Sequence, residues 1–161
     1  MIIRPIKIED AADMNRMRIM KNVRENILGL ASERVSDTEA FIRAISPNDH
    51  LLVAEVNGVV VGCVGLQISP RPRTRHTGGL GIMVNADYQR QGIGKALMTA
   101  ILDIADNWLM LKRVELCVFV ENETAIAMYR KMGFVVEGTK KYAATRNGLY
   151  ADEYLMARYG K

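Results

Sequence analysis

The feature that most limits how this chain can fold is a strand-like run that ends in a glycine turn and opens a helix. Leu80-Gly81-Ile82-Met83-Val84 is apolar and strand-like, and Tyr88-Gln89-Arg90-Gln91-Gly92-Ile93-Gly94-Lys95 follows it. A long amphipathic helix is predicted from about Gly92 to Leu111, with Ile93, Leu97, Ala100, Ile101, Ile104 and Trp108 on one face. In this layout the free N–H groups and the positive end of the helix dipole converge on one spot, which favours an anion and above all a phosphate. Gly92 and Gly94 carry no side chain, so the backbone there can approach a ligand closely. A glycine turn before a helix is also often only a turn.

Two other phosphate-binding loops are excluded. A Walker A loop needs a glycine five positions before its Gly-Lys pair and Ser or Thr after it, places held here by Gln89 and Ala96. A dinucleotide fingerprint needs a third glycine where Leu97 stands. What is left is Q-x-x-G-x-G at a helix start.

The rest of the chain supplies a frame for that loop. At 161 residues it reads as one domain, residues 1–161, with an ordinary balance of apolar and charged residues. Met1 to Ile6 reads as a short strand without the pattern of a signal peptide, and no run is long enough to span a bilayer; the expectation is a cytoplasmic protein. A helix is predicted from Ile8 to about Arg24. Ser36-Asp37-Thr38-Glu39 resembles a capping box for a short helix through Ile45. Leu51–Val56 and Val59–Leu66 form a hairpin about Asn57-Gly58. After the strand that ends at Val84 and the long helix come a strand from Arg113 to Val120 and a helix from Asn122 to Met132. Phe134–Glu137 and Tyr150–Tyr159 complete the strands, with a turn at Asn147-Gly148. The order β-α-α-β-β-β-α-β-α-β-β is that of an α/β domain whose sheet is mixed and mainly antiparallel.

Charge and cysteines narrow the chemistry. The net charge of +4 suits a polyanionic ligand or a nucleic acid. Part of the excess is local, with Arg71, Arg73, Arg75, Arg90 and Lys95 against Asp87 between Pro70 and Lys95. No RNA-binding signature or recognition-helix pattern accompanies it, so no nucleic-acid partner is expected. Cys63 and Cys117 lie in apolar strand-like runs and read as reduced core thiols. His50 and His76 are far apart, and no metal site is expected.

Gln89-x-x-Gly92-x-Gly94, followed by Asn122-x-x-Ala125-x-x-x-Tyr129-x-x-x-Gly133-Phe134 in this element order, resembles the GNAT superfamily of N-acetyltransferases over nearly the whole chain. The C-terminal half, with Asp106-Asn107-Trp108, Val118-Phe119-Val120 and Lys140-Lys141-Tyr142 through Arg146-Asn147-Gly148, is most similar to the bacterial branch that contains L-amino-acid N-acetyltransferases. The resemblance implies acetyl-CoA as donor. Backbone groups of Ile82, Met83 and Val84 would pair with the pantetheine arm, and the amides of Gln89, Arg90, Gln91, Gly92, Ile93, Gly94 and Lys95 would surround the pyrophosphate. Asn122 would bond the pantetheine arm, although Asn is also a good N-cap. Tyr129 would protonate the departing thiolate, whereas an isolated Tyr on a helix face is by default a packed aromatic.

The resemblance also implies direct transfer to an amine, with no covalent enzyme intermediate. Many members carry a Glu near the position of Gly79, and here Thr77-Gly78-Gly79-Leu80 offers no carboxylate. His76 is the nearest candidate base, and a surface histidine is the alternative. The acceptor would lie between about Val23–Arg34 and Lys140–Tyr150. Arg71, Arg73, Arg75, Lys140, Lys141 and Arg146 would disfavour a polycation and suit a carboxylate, pointing to a free amino acid or related small amine. Acetylation of a protein N-terminus or lysine, and a non-catalytic acetyl-CoA sensor, are the competing readings, with nucleic-acid binding a third that only the overall charge supports. A homodimer is expected by analogy with the family.

Overall fold

The computed structural model describes residues 1–160. The strands are β1 (Ile2–Pro5), β2 (Asp49–Val56), β3 (Val59–Ile68), β4 (Thr77–Val84), β5 (Arg113–Phe119), β6 (Val135–Arg146) and β7 (Leu149–Tyr159). They form one sheet in the order β1-β2-β3-β4-β5-β7-β6. Every neighbouring pair is antiparallel except β4 with β5, so the sheet is mixed and mainly antiparallel. The helices are α1 (Ala11–Ile19), α2 (Lys21–Arg24), α3 (Val35–Arg43), α4 (Ile93–Asp103) and α5 (Glu123–Lys131). No helix among the described residues is long and apolar enough to cross a membrane.

Helices cover both faces of the sheet. Ile93, Leu97, Met98 and Ile101 of α4 and Ile126 and Tyr129 of α5 pack with Val61, Val64, Leu116 and Met156. Met14, Met17 and Val23 pack with Val53, Cys63 and Met83 in a second cluster. β3 contributes to both, which is why its sequence is a near-continuous apolar run and not an alternating one. At Gly62 of β3 a Cβ would stand 2.9 Å from Leu97 Cδ1, so the missing side chain lets α4 lie close to the strand. The two hairpin turns fall where Asn-Gly pairs predict them. Asn57 and Gly58 have φ of 51° and 80°, and Asn147 and Gly148 have 52° and 79°, the left-handed pairs of a tight hairpin turn.

Several boundaries differ from the sequence expectation, each for a local reason. The predicted helix from Ile8 to Arg24 is a 3₁₀ turn (Ile8–Asp10), then α1 and α2, separated at Met20 by an extended ψ of 131°. In one continuous helix Met17 and Val23 would point about 120° apart, and the break brings both into the same cluster. α3 starts at Val35, so Ser36 is inside it. Arg34 N–H donates to Asp37 Oδ2 at 3.1 Å, the bond expected of Glu39. The long helix changes to a π-helical turn over Ile104–Trp108, closed by Leu109 N–H on Ile104 C=O at 3.0 Å. The wider turn moves the apolar face onto Ala105 and leaves Trp108 77% exposed, not buried with Ile101. β6 is far longer than Phe134–Glu137, because its polar, irregular sequence is that of an edge strand.

The N-terminal strand is tied to the first helical turn by a partly buried ionic cluster centred on the buried Asp10. Arg4 Nη1 and Nη2 donate to the Asp10 carboxylate, both at 2.8 Å, Arg4 Nε donates to Glu55 at 2.8 Å, and Lys7 N–H donates to Asp10 at 2.7 Å. Burial alone would raise the Asp10 carboxyl, but its hydrogen bonds from Arg4 and Lys7 outweigh burial and hold it below the usual value. A carboxylate depressed in this way stabilises the fold above its unfolded-state pKa near 3.9, and that stability is lost as pH falls below it. Asp10→Asn should therefore lower the unfolding free energy by about 2 kcal/mol at pH 7. In urea titrations the gap from wild type should close as pH falls below about 4.

Candidate active site

The site originates in a break in the sheet. β4 and β5 pair in parallel only at Thr77–Arg113, Gly78–Val114 and Gly79–Glu115. Beyond these, β4 stays on β3 as far as Val84 and β5 stays on β7 as far as Phe119, so their facing edges part. A cleft of about 950 Å³ opens there. Among its walls are Ile82, Met83 and Val84 on the free edge of β4, Gln89, Arg90, Gly92, Gly94 and Lys95 of the glycine turn, and Asn122 and Tyr129. The structure thus brings most of the sequence-predicted residues into one concavity.

At its phosphate-favouring end the turn is shaped by two left-handed residues, Arg90 (φ 61°) and Gly92 (φ 83°). The Gln89 side chain donates to Val84 C=O at 3.2 Å and the Gln91 side chain to Asp87 C=O at 3.2 Å, fixing the loop to the strand end. The first helical bond of α4 runs from Ala96 N–H to Gly92 C=O at 3.0 Å, which leaves the amides of Ile93, Gly94 and Lys95 without an acceptor inside the helix. Nothing lies within 4 Å of where a Gly92 Cβ would be. The side chains of Gln91 and Ile93 do not line the cleft, and that of Ile93 is buried in the α4 core. Any part these two residues take is through their backbone.

Asn122 is the N-cap of α5, its Oδ1 accepting from Ala125 N–H at 3.3 Å. The capping role is therefore real, and the side-chain NH₂ is the group it leaves for a ligand. Tyr129, on the same helix, is only 6% exposed and meets Phe134 with ring centroids 5.9 Å apart. Burial pushes its phenol up to about 12, so it keeps its proton at neutral pH and can act as an acid there but not as a resident base.

Other sequence candidates lie elsewhere. His76 is exposed ahead of β4, its C=O accepting from the Lys112 and Arg113 amides. It does not line the cleft, because β4 runs from that end toward the glycine turn. Arg71, Arg73 and Arg75 are exposed around a 3₁₀ turn at the same distant end. Lys141 is paired with Asp152 at 2.5 Å, and Arg146 lies over the Phe119 ring at 5.2 Å. Of the six cations proposed for the acceptor, Lys140 lines the cleft. Cys63 is a core thiol, raised to about 12 by burial. Cys117 is not a core thiol: it is exposed to the cleft, since its β5 position is on the face away from Leu116 and Val118.

Sequence reasoning missed Arg18 and Glu153. Arg18 lines the cleft and donates to Glu33 at 2.6 Å. Glu153 is the single carboxylate lining the cleft among the described residues. The available signal was its phase, a lone acid in step with Ala151, Leu155 and Ala157 on one face of β7. A second cavity of about 520 Å³ adjoins the cleft, with Phe41, Leu51, Leu116 and Leu155 in its walls and Gly79 and Gly81 on its floor. A Gly79 Cβ would meet nothing within 4 Å, so a side chain would fit at that position. The carboxylates that line this second cavity are Asp49, which accepts from Ser46 Oγ at 2.7 Å, and Glu115, which is paired with Arg113 at 2.7 Å.

Comparison with known proteins agrees with this geometry. A family model described as acetyltransferase (GNAT) family matches residues 20–134. L-amino acid N-acetyltransferase AaaT of Escherichia coli (strain K12) is 45% identical over 112 residues, covering 70% of this chain and 69% of that protein. N-alpha-acetyltransferase RimI of Mycobacterium tuberculosis is 34% identical over 124 residues, covering 74% and 72%. The fold matches that of spermidine N-acetyltransferase from Vibrio cholerae, solved with CoA and spermine, at a TM-score of 0.87 and 22% identity, covering 98% of this chain and 94% of that one. With its splayed strands, glycine turn and buried helical tyrosine, the chain belongs to the GNAT family of acetyltransferases.

Proposed function

We propose that this acetyltransferase transfers an acetyl group from acetyl-CoA directly to the amine of a small molecule, a free amino acid. GNAT acetyltransferases use acetyl-CoA. The observation that carries the reading is the open edge of β4 leading into the glycine turn, with Tyr129 in the same cleft. The residues fit the donor. The Ile82–Val84 edge offers main-chain groups to an extended amide-bearing arm as an added strand would. The amides from Gln89 to Lys95, with Arg90 and Lys95 beside them, suit a pyrophosphate. Asn122 offers its NH₂ to the same arm.

In the proposed reaction the acceptor nitrogen attacks the thioester carbonyl, whose oxygen is polarised by main-chain N–H groups of β4. Tyr129 gives its proton to the sulfur as the C–S bond breaks, an interaction that strengthens only as negative charge develops. Support for an amino acid comes from the identity to AaaT and from Lys140, a cation at the acceptor end that matches a substrate carboxylate. Val23, Asn26, Ile27 and Leu28 line the same cleft as Lys140, which supports an acceptor seated between the second helical region and the late strands. The 34% identity to RimI favours a second reading, acetylation of a protein N-terminus.

A thiol-release assay with acetyl-CoA against amino acids, polyamines and short peptides tests the assignment. Turnover of free amino acids is expected; turnover of peptides alone would transfer the function to the second reading. Tyr129→Phe should lower kcat by about 100-fold or more with acetyl-CoA binding within threefold of wild type. Unchanged turnover would remove Tyr129 from the chemistry.

The two roles of Asn122 can be separated by substitution. Asn122→Ala should cost about 1 kcal/mol of stability through the lost cap and raise KM for acetyl-CoA. Asn122→Asp should keep the cap and thus the melting temperature, yet show the same rise in KM because the donor is gone. Equal KM values for Asn122→Asp and wild type would confine Asn122 to capping.

A further inference from the structure

Transfer to an amine needs a group that takes a proton from the ammonium, and neither Gly79 nor His76 supplies it. We propose that Glu153 receives the acceptor's ammonium and accepts its proton, with Lys140 as the partner of the acceptor's carboxylate. The inference rests on the small-amine reading above and names the residue that would discriminate among acceptors at this site.

Three observations point to Glu153. It is 8% exposed yet lines the cleft, a position in which a carboxylate demands a charged or hydrogen-bonding partner. Its cation, Lys140, stands 3.7 Å away with an ammonium side chain that is half exposed, too far for a hydrogen bond. The same Lys140 Nζ lies 3.7 Å from Cys117 Sγ, so it is shared between two groups. Glu153 therefore has acceptor capacity that its neighbours do not fill. The sheet register explains its reach. Glu153 is opposite Phe119 on β5 and Lys140 on β6, one strand in from the edge that parts from β4. Its neighbours in sequence with the opposite phase, Tyr154 and Met156, turn into the α4 and α5 core.

An amino-acid zwitterion complements the Lys140–Glu153 pair, its carboxylate toward the lysine and its ammonium toward the glutamate. The proton balance closes. Glu153 takes one proton from R–NH₃⁺, freeing the nitrogen lone pair, and releases it to solvent with the product. As the C–N bond forms the nitrogen loses a second proton, which restores the phenol after Tyr129 has given its own to the sulfur. The products are the N-acetyl amine and the CoA thiol. A diamine would meet Lys140 as a like charge, so this arrangement also selects against polyamines.

The test compares wild type, Glu153→Gln and Glu153→Asp with the amino acid that wild type turns over best, between pH 7 and 9.5. The charged and titratable groups that share the cleft with Glu153 are Lys140, Cys117, Cys63, Tyr129, Tyr88, Arg90, Lys95 and Arg18, the last paired with Glu33. Cys117→Ser serves as the control for thiol ionisation. At pH 7 Glu153→Gln should lower kcat/KM for the acceptor about 100-fold, with KM for acetyl-CoA within twofold and an unchanged melting temperature. Its log(kcat/KM) should then rise with unit slope toward the amine's own pKa, so the deficit shrinks as free amine accumulates. Glu153→Asp should recover part of the loss, and Cys117→Ser should follow wild type. Activity of Glu153→Gln within threefold of wild type at pH 7 would overturn the proposal, as would a deficit that is the same at every pH. Should Glu153→Gln not fold, a Glu153→Asp pH profile identical to wild type at full activity would overturn it, and a depressed, steeper profile would support it. Wild type that acetylates only peptides, or nothing, is a different outcome, the failure of the small-amine reading itself.

Discussion

The parting of β4 from β5 is the constraint on which the rest of the structure depends. Each strand keeps one neighbour, β3 or β7, and gives up the other after the Gly79–Glu115 pair. Main-chain groups along the two freed edges need partners, and in a cleft they find them in water or in an extended ligand. The helices follow from the same break. α4 and α5 each begin just past one of the diverging strands, so the glycine turn and the Asn122 cap arrive at one opening. The turn, the cap and the acid are therefore placed by topology, before any particular side chain is considered.

Charge is distributed to match. Arg4, Arg113 and Arg158 are neutralised within the frame, by Asp10 and Glu55, by Glu115 and Glu137, and by Asp106. Arg158 also donates to Met132 C=O at 3.0 Å, securing the end of the helix that carries Tyr129. Arg90 and Lys95 have no ion pair among the described residues, so the net positive charge of the chain is expressed in part at the mouth where an anion would enter. Net charge alone could not have located it, since the exposed Arg71, Arg73 and Arg75 contribute equally to the total and lie at the far end of β4.

Much of the fold was legible because local chemistry and global position agree. Asn57-Gly58 and Asn147-Gly148 can hardly do anything but turn, and the β3 run is apolar because both its faces are covered. What escaped was set by tertiary context. A constant helical period puts Trp108 on the buried face, and one π-helical turn rotates it into solvent. Cys117 looked like core by composition, yet it points to the side of β5 that the splay leaves open. For the site, motif spacing carries the glycine turn, Asn122 and Tyr129 into one cleft, whereas His76 is near Gly79 only in sequence and lies outside it. Glu153 carried no motif. Its only mark was to be acidic at an apolar phase, which is legible only once the register of β7 is known.

The division of the cleft between two faces of the sheet has a chemical consequence. An acid that must hold its proton and a carboxylate that must lose one want opposite surroundings. Tyr129 sits in the apolar α4 and α5 cluster, where burial raises its phenol to about 12 and Phe134 packs beside it. Glu153 faces the other side, with the Lys140 ammonium 3.7 Å from its carboxylate. In an unbroken sheet these two environments could not share a substrate. The gap between β4 and β5 joins them, so a reacting carbonyl held at the gap can be reached by a nitrogen from one face and its sulfur by a phenol from the other. The same discontinuity that costs the sheet its hydrogen bonds lets one small domain hold the proposed proton donor and the proposed proton acceptor on opposite faces of one cleft.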